Sequence, residues 1–372
     1  MTYPIEKSTG FGFFRGRVAL ACALKALNVG PGDMVAVQAF TCSALAEAIL
    51  SIDAVPLWID ITADGYTMDA GDLEKKLSQA SNVKALIVQH TYGFAADMDA
   101  LMGVAAKYHL PVIEDCCHTL FTRWGGKQVG RFGVAAFYSF EAGKPLVAGL
   151  GGWLRVNNPH LYEKVAELHK QYEQPGLFEQ VRTLAMFIAY SILYRPSTFW
   201  AIKRVFRMLA KYGIVRGNYN TVEVDDAAST PTLDLSDFTK GLGHLQEKTV
   251  FLRQRAAERS ISHRNRAAAA YARNFPLRHD ARAENVVLKY PVLVPKKEAT
   301  LKQAEENSIE LSDNYSTPVH PYEGRELEMA RYVMGSCPNA EKKANHVVAL
   351  PCPVSFNDKA ITKSIAFLRS QI

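Results

Sequence analysis

The run Phe137-Tyr-Ser-Phe-Glu-Ala-Gly-Lys-Pro-Leu146, followed by Gly149-Leu-Gly-Gly152, decides the reading of this chain. An apolar stretch from Val134 to Phe140 has strand character and ends in a loop of small residues that presents one lysine, Lys144. The glycines that follow let the backbone come close to something bulky. Upstream, a second apolar stretch ends in Val112-Ile-Glu-Asp-Cys-Cys-His118. A lysine and an aspartate (Asp115), each at a strand end, suit a pyridoxal phosphate site. That cofactor needs an amine for a Schiff base and a carboxylate for its pyridinium nitrogen.

Working outward, the chain alternates between two periodicities. Val18, Ala19, Leu20, Ala23, Leu24 and Leu27 recur at helical spacing after Gly16, and Gly30-Pro-Gly-Asp33 is a turn. Met34 to Phe40, Val55 to Ile61, Lys84 to His90 and Pro111 to Asp115 read as strands. Ser43 to Ile52, Asp69 to Ser78 and Asp97 to Tyr108 read as helices, with Asp69 placed to cap its own. The run from Lys84 to His90 is almost uniformly apolar, as in a strand buried on both faces. This rhythm predicts an α/β fold built on a three-layer, doubly wound, mostly parallel sheet. Ligands of such sheets sit beyond the carboxyl ends of the strands, where Asp115, His118, Ser139 and Lys144 fall.

At 372 residues the chain is long enough for one large and one small domain. A hydrophobic content of 48% and a charged content of 22% are those of a globular protein. The net charge of +6 permits anionic substrates without demanding nucleic acid, and no nucleic-acid-binding signature is present. The N-terminus lacks the apolar core of a signal peptide. Six scattered cysteines form neither a disulfide framework nor a metal motif, so the expectation is reduced thiols, no metal and a cytoplasmic protein.

Beyond Asn158 the rhythm stops. Tyr162 to Tyr172 reads as a helix. Thr183-Leu-Ala-Met-Phe-Ile-Ala-Tyr-Ser-Ile-Leu-Tyr194 is apolar all round but shorter than the roughly 20 residues that span a bilayer. Phe199 to Lys211 reads as a basic amphipathic helix. The 177–212 element has two readings, packing on a partner subunit or peripheral contact with a membrane surface, and packing is preferred. Asp234 to Asn274 reads as one long helical stretch. Two strands (Val286 to Val294 and Val347 to Leu350) and a closing helix (Asp358 to Ser370) then suggest a smaller α+β domain. The expected division is 1–240, carrying an unusual helical insertion at about 173–230, and 241–372.

Several stretches together resemble the DegT/DnrJ/EryC1/StrS family of pyridoxal-phosphate sugar aminotransferases, of the aspartate aminotransferase superfamily (fold type I). They are Gly16-Arg-Val-Ala-Leu with Val29-Gly-Pro-Gly-Asp, Phe40-Thr-Cys-Ser-Ala and His90-Thr-Tyr-Gly-Phe-Ala-Ala-Asp-Met-Asp. Glu114-Asp-Cys-Cys-His, Ser139-Phe-Glu-Ala-Gly-Lys, and Pro338-Asn-Ala-Glu through Leu350-Pro-Cys-Pro complete the ordered set. The likeness spans nearly the whole chain except about 173–230.

The resemblance implies Lys144 as the Schiff-base lysine and proton carrier, with partial burial expected to lower its pKa. It implies Asp115 at the pyridinium nitrogen, His118 near the ring's phenolic oxygen and Ser139 on the phosphate. Gly16, Arg17 and Val18 open a helix whose free N–H groups and dipole favour a phosphate. Three departures stand out. Arg15-Gly-Arg replaces the family's Ser-Gly-Thr, and Thr230-Pro-Thr stands where the family carries an Asn-Tyr-Arg reaching the phosphate from the partner subunit. Arg17 then supplies in cis the guanidinium lost in trans; Arg17 as a surface residue and Asn218-Tyr-Asn as a displaced motif are the competing readings. Cys42 occupies the position of an aromatic ring that stacks on the cofactor, with Phe40 or Tyr92 as replacements. The implied reaction moves an amino group from an amino acid, usually glutamate, to a keto sugar, usually nucleotide-linked, in a homodimer. The alternatives are a related enzyme with a non-sugar or lipid-linked substrate, and a silent paralogue serving as a binding subunit.

Overall fold

The computed structural model describes residues 3–193, 232–278, 280–353 and 356–372, with positions 198, 205, 208, 222 and 223. Its centre is a seven-stranded sheet. The strands are β1 (Gly10–Phe13), β2 (Met34–Gln38), β3 (Val55–Ile59), β4 (Val83–Gln89), β5 (Val112–Asp115), β6 (Ala135–Ser139) and β7 (Gly152–Val156). Their order is β1-β7-β6-β5-β4-β2-β3. All the neighbours from β6 to β3 pair in parallel, and β7 pairs antiparallel with both β6 and β1. β7 therefore runs against every other strand.

Alternation along the strands builds the layers. Val35, Val37, Ile87, Ile113 and Phe137 enter one apolar cluster, while Ala36, Leu86, Val88, Val112, Ala136 and Tyr138 enter another. Successive side chains point to opposite faces, so both faces are buried and both are covered. One face is covered by α1 (Gly16–Ala26), α2 (Ser43–Leu50) and α5 (Pro159–His169). α3 (Ala70–Gln79) and α4 (Met98–Lys107) cover the other. Caps set the helix starts: Asp69 accepts from the N–H of Gly71 (2.7 Å) and Asp72 (3.1 Å), and Asp97 accepts from Ala100.

The apolar run forms α6 (Leu177–Leu193). The basic stretch after it, with Phe199 and Trp200, lies outside the described residues except for Val205 and Met208, as do Asn218 and Thr230. The expected single helix from 234 to 274 is instead α7 (His244–Arg259) and α8 (Ile261–Ala272), broken at Ser260. The Ser260 hydroxyl turns back to donate to the Ala257 carbonyl (2.6 Å), a local competition with the helical ladder that serine favours.

In the C-terminal part, β8 (Lys289–Leu293) pairs antiparallel with β9 (Val347–Pro351). Both pack with α8 and α11 (Asp358–Arg369) in a third apolar cluster; α9 (Lys297–Glu306) and α10 (Pro338–Ala344) lie between the two strands in sequence. The segment from Tyr315 to Ala344 joins the main cluster instead, through Tyr315, Val319, Tyr322 and Tyr332. Val319 and His320 pair in parallel with Thr41 and Cys42. That short ladder carries Asn314 and Tyr315 to the carboxyl edge of the sheet.

Candidate active site

Beyond the carboxyl ends of β5 and β6 lies a cavity lined by Gly16, Arg17, Cys42, Asp115, His118, Ser139 and Lys144. Seven of the eight expected site residues therefore share one cleft. The eighth, Val18, has its side chain fully buried in the core and can offer only its backbone N–H. The first-turn N–H groups of α1 have no acceptor within the helix. α1 meets β6 closely: a Cβ on Gly16 would lie 3.2 Å from the Ser139 Cβ.

The loop presenting Lys144 is pinned at its base. Phe140 N–H donates to Gly151 O and Ala148 N–H to Phe140 O, both at 2.9 Å. Gly143, directly before the lysine, has φ +81°; Gly149 has φ +93°, and a Cβ there would lie 2.6 Å from the Thr183 carbonyl oxygen. Both positions need a residue without a Cβ.

The electrostatics distinguish the groups. Asp115 is 3% exposed and accepts one backbone N–H, from Cys117 (2.9 Å). No cation forms an ion pair with it among the described residues, and burial pushes its pKa up. The Lys144 Nζ makes no hydrogen bond among the described residues. Burial pulls its pKa down, but Cys117, Cys42, Asp115 and Glu141 together hold it above the usual lysine value. This corrects the expectation of a lowered pKa: its acidic neighbours outweigh its burial. His118 is driven well below the usual histidine range by burial, Lys144 and Lys289. Its Nδ1 accepts from the Tyr92 N–H (3.2 Å), so the neutral ring carries its proton on Nε2.

Arg17 is 6% exposed and ion-pairs with Glu47. Glu47 also accepts from Ser43 Oγ (2.8 Å) and Tyr322 Oη (3.1 Å). Arg17 is thus a buried residue at the cavity wall, and the surface reading falls away. Neither Phe40 nor Tyr92 lines the cleft; both are fully buried at positive φ. The rings that do line it are His118, Phe137 and Tyr315, and Tyr315 stacks on His118 with centroids 6.3 Å apart.

These residues fit pyridoxal phosphate. Among the described residues the Asp115 carboxylate has no ion pair, which suits a pyridinium nitrogen, and the Lys144 amine has no hydrogen-bond partner, which suits covalent attachment. The Ser139 hydroxyl, which has no partner among the described residues, and the start of α1 suit the phosphate. Lys289, Asn314 and Tyr315 also line the cleft and were not expected. For Lys289 a signal existed: it is the only charge in Val286-Val-Leu-Lys-Tyr-Pro-Val-Leu-Val294.

A doubly wound sheet with a lysine and a buried aspartate at its carboxyl edge is the architecture of a fold type I aminotransferase. A model of the DegT/DnrJ/EryC1/StrS aminotransferase family matches residues 7–185 and 202–369, and the chain belongs to that family. It is 39% identical over 160 residues to the UDP-N-acetyl-3-dehydro-alpha-D-glucosamine 3-aminotransferase of Acidithiobacillus ferrooxidans, covering 43% of each chain. It is 38% identical over 139 residues to the L-glutamine:scyllo-inosose aminotransferase of Streptomyces griseus, covering 37% of this chain and 32% of the relative. The matched segments thus span less than half the length of these curated relatives. Among solved structures, DesV of S. venezuelae superposes with a TM-score of 0.72 at 24% identity, over 97% of this chain and 84% of that one. No helix among the described residues is long and apolar enough to cross a membrane.

Proposed function

We propose that this protein is a pyridoxal-phosphate-dependent aminotransferase that moves an amino group from an amino acid, glutamate for preference, to a nucleotide-linked keto sugar. The observation that carries the reading is the meeting in one cleft of Lys144 and the buried Asp115, the amine without a hydrogen-bond partner and the carboxylate without an ion pair among the described residues. When bound, the cofactor supplies the electron sink that makes the carbon beside an amine acidic. Asp115 holds a proton on the ring nitrogen. The Lys144 Nζ, once freed, takes a proton from the donor's α carbon, and in the second half it returns one to the carbon of the former ketone. His118 offers its Nε2–H to the ring oxygen. Ser139, the α1 N–H groups and Arg17 hold the phosphate. Phe137, Leu288 and Tyr315 give the cleft apolar walls that exclude water. Retention of both Lys144 and Asp115 favours an enzyme over a silent binding subunit. The test is a donor and keto-sugar panel followed by mass spectrometry. Amine formed on a nucleotide-linked keto sugar supports the reading; no amine on any member refutes it.

The large part, 1–240, then binds the cofactor and 241–372 forms the smaller part. On α6, Leu177 (72% exposed), Phe178 (82%) and Ile192 (58%) are open to solvent in the single chain. Such a surface supports burial against a second copy in a homodimer, our preferred reading over a membrane surface. A cytoplasmic location accords with six free cysteines.

A further inference from the structure

We propose that Lys289 binds the α-carboxylate of the amino-acid donor, so that this lysine orients the donor's amine toward Lys144. The inference rests on the aminotransferase reading and assigns one of its substrate contacts.

Among the described residues, three cationic side chains line the cleft: Arg17, Lys144 and Lys289. Arg17 is paired with Glu47 beside the start of α1, and Lys144 is the amine of the covalent site. Lys289 is left without an assigned role. Its Nζ donates to Ser312 Oγ and to Asn314 Oδ1, each at 2.7 Å. Ser312 is fixed by two backbone hydrogen bonds with Ala349 (2.9 and 3.0 Å), and the Asn314 carbonyl accepts from the Tyr92 hydroxyl. The ammonium is therefore held in one place by neutral oxygens. An ammonium has three N–H donors, and two are used here. No carboxylate lies within ion-pair distance of Lys289 among the described residues. Glu310 acts on this partly buried cation only from beyond ion-pair distance, and a ligand anion at the free N–H relieves the remaining penalty.

Position selects the anion. Lys289 and Lys144 line the same cleft, close enough for the Lys144 charge to act on Lys289: burial and then Lys144, against Glu310, lower the Lys289 pKa to about 8. The donor's amine must react where Lys144 reacts, and its α-carboxylate is bonded to the same carbon as that amine. An anion on that carbon is held within reach of a cation beside Lys144. A nucleotide diphosphate hangs several bonds further from the reacting carbon of the acceptor. The shared chemistry is an anionic oxygen group, and the experiment separates the two sources.

The experiment follows the near-violet absorbance of the holoenzyme as glutamate converts it in a single turnover, in wild type, Lys289→Met and Lys289→Arg. Lys289→Met should load cofactor normally and raise the apparent Kd for glutamate at least about tenfold, the scale of a lost hydrogen bond to a charged group. Lys289→Arg should recover most of that loss, and the KM for the keto sugar should stay within about twofold. Wild type should also prefer glutamate over 4-aminobutanoate, which lacks the α-carboxylate, by a factor that falls at least tenfold in Lys289→Met. That preference in wild type tests the idea even where the methionine variant folds poorly; its absence would overturn the proposal. An unchanged glutamate Kd in Lys289→Met, with wild type converting normally, would sink this inference and leave the aminotransferase reading standing. A rise confined to the keto-sugar KM would give the cation to the acceptor's phosphates and overturn the assignment. Failure of wild type to convert with any amino acid would overturn both readings.

Discussion

Replacing Arg17 by methionine should weaken both the fold and the cofactor site. The side chains of Arg17 and Glu47 are 5% and 1% exposed, so the substitution leaves a carboxylate in the interior without its cation. Breaking a buried pair by removing one partner typically destabilises by about 3–5 kcal/mol. Ser43 and Tyr322 already donate to Glu47 and keep part of its solvation, which argues for the lower end, about 3 kcal/mol. The same substitution removes a donor from the cavity wall. If that donor meets the phosphate, cofactor affinity should fall by about 1.5–3 kcal/mol, roughly tenfold to a hundredfold. Urea unfolding of the cofactor-stripped protein measures the first effect, and titration with pyridoxal phosphate measures the second. The double variant Arg17→Met/Glu47→Leu removes the stranded charge. It should regain most of the stability but none of the affinity. A loss below about 1 kcal/mol in the single variant would refute the buried-pair argument. Normal cofactor affinity in both variants would confine Arg17 to structure.

Three further outcomes follow from the same geometry. Asp115→Asn puts a neutral group at the ring nitrogen, so turnover should fall by orders of magnitude while cofactor affinity changes far less; near-normal turnover would exclude the role. Glutarate, a dicarboxylate without an amine, should bind the holoenzyme more weakly as pH rises through about 8, because the Lys289 charge is lost there. The base is charged below its pKa, so affinity should be flat below pH 7 and fall toward tenfold per unit above 8. Lys144 and Glu310 are the other charged groups acting on Lys289, and Lys289→Met should flatten the profile. Changing Leu177 and Phe178 to Ser should shift a homodimer toward monomer in light scattering at unchanged cofactor loading; an unchanged mass would place the interface elsewhere.

The parallel strands were legible because burial on both faces leaves an unbroken apolar run, as in Val83–Gln89. β1 and β7 escaped notice. Both carry glycine, and β7 holds Arg155, which is 5% exposed and bonded to the Pro4 carbonyl and Asn157. A charge inside a strand hides the apolar pattern when the contact that buries it, here with Pro4, lies far along the chain. Distance in sequence also explains the missed part of the site. Asn314 and Tyr315 reach the cleft only because Val319 and His320 pair with Thr41 and Cys42. The pairing of Arg17 with Glu47 crosses two helices and was equally unreadable from spacing. Lys144, Asp115, His118 and Ser139 were readable because each follows the end of an apolar strand within a few residues. The direction of the Lys144 pKa was misjudged because Cys117 and Cys42, the neighbours that raise it most, come from other segments, and only folding brings them to the amine.

Two lysines line the cleft among the described residues, and the covalent role falls to Lys144 alone. Lys289 has the lower pKa but is held by Ser312 and Asn314, whereas the Lys144 amine makes no hydrogen bond among the described residues. Borohydride reduction of the holoenzyme, followed by proteolysis and mass spectrometry of the labelled peptide, separates them directly. The cofactor should be fixed on the peptide containing Lys144, with no label in Lys144→Ala. Label on the peptide containing Lys289, or label persisting in Lys144→Ala, would contradict it.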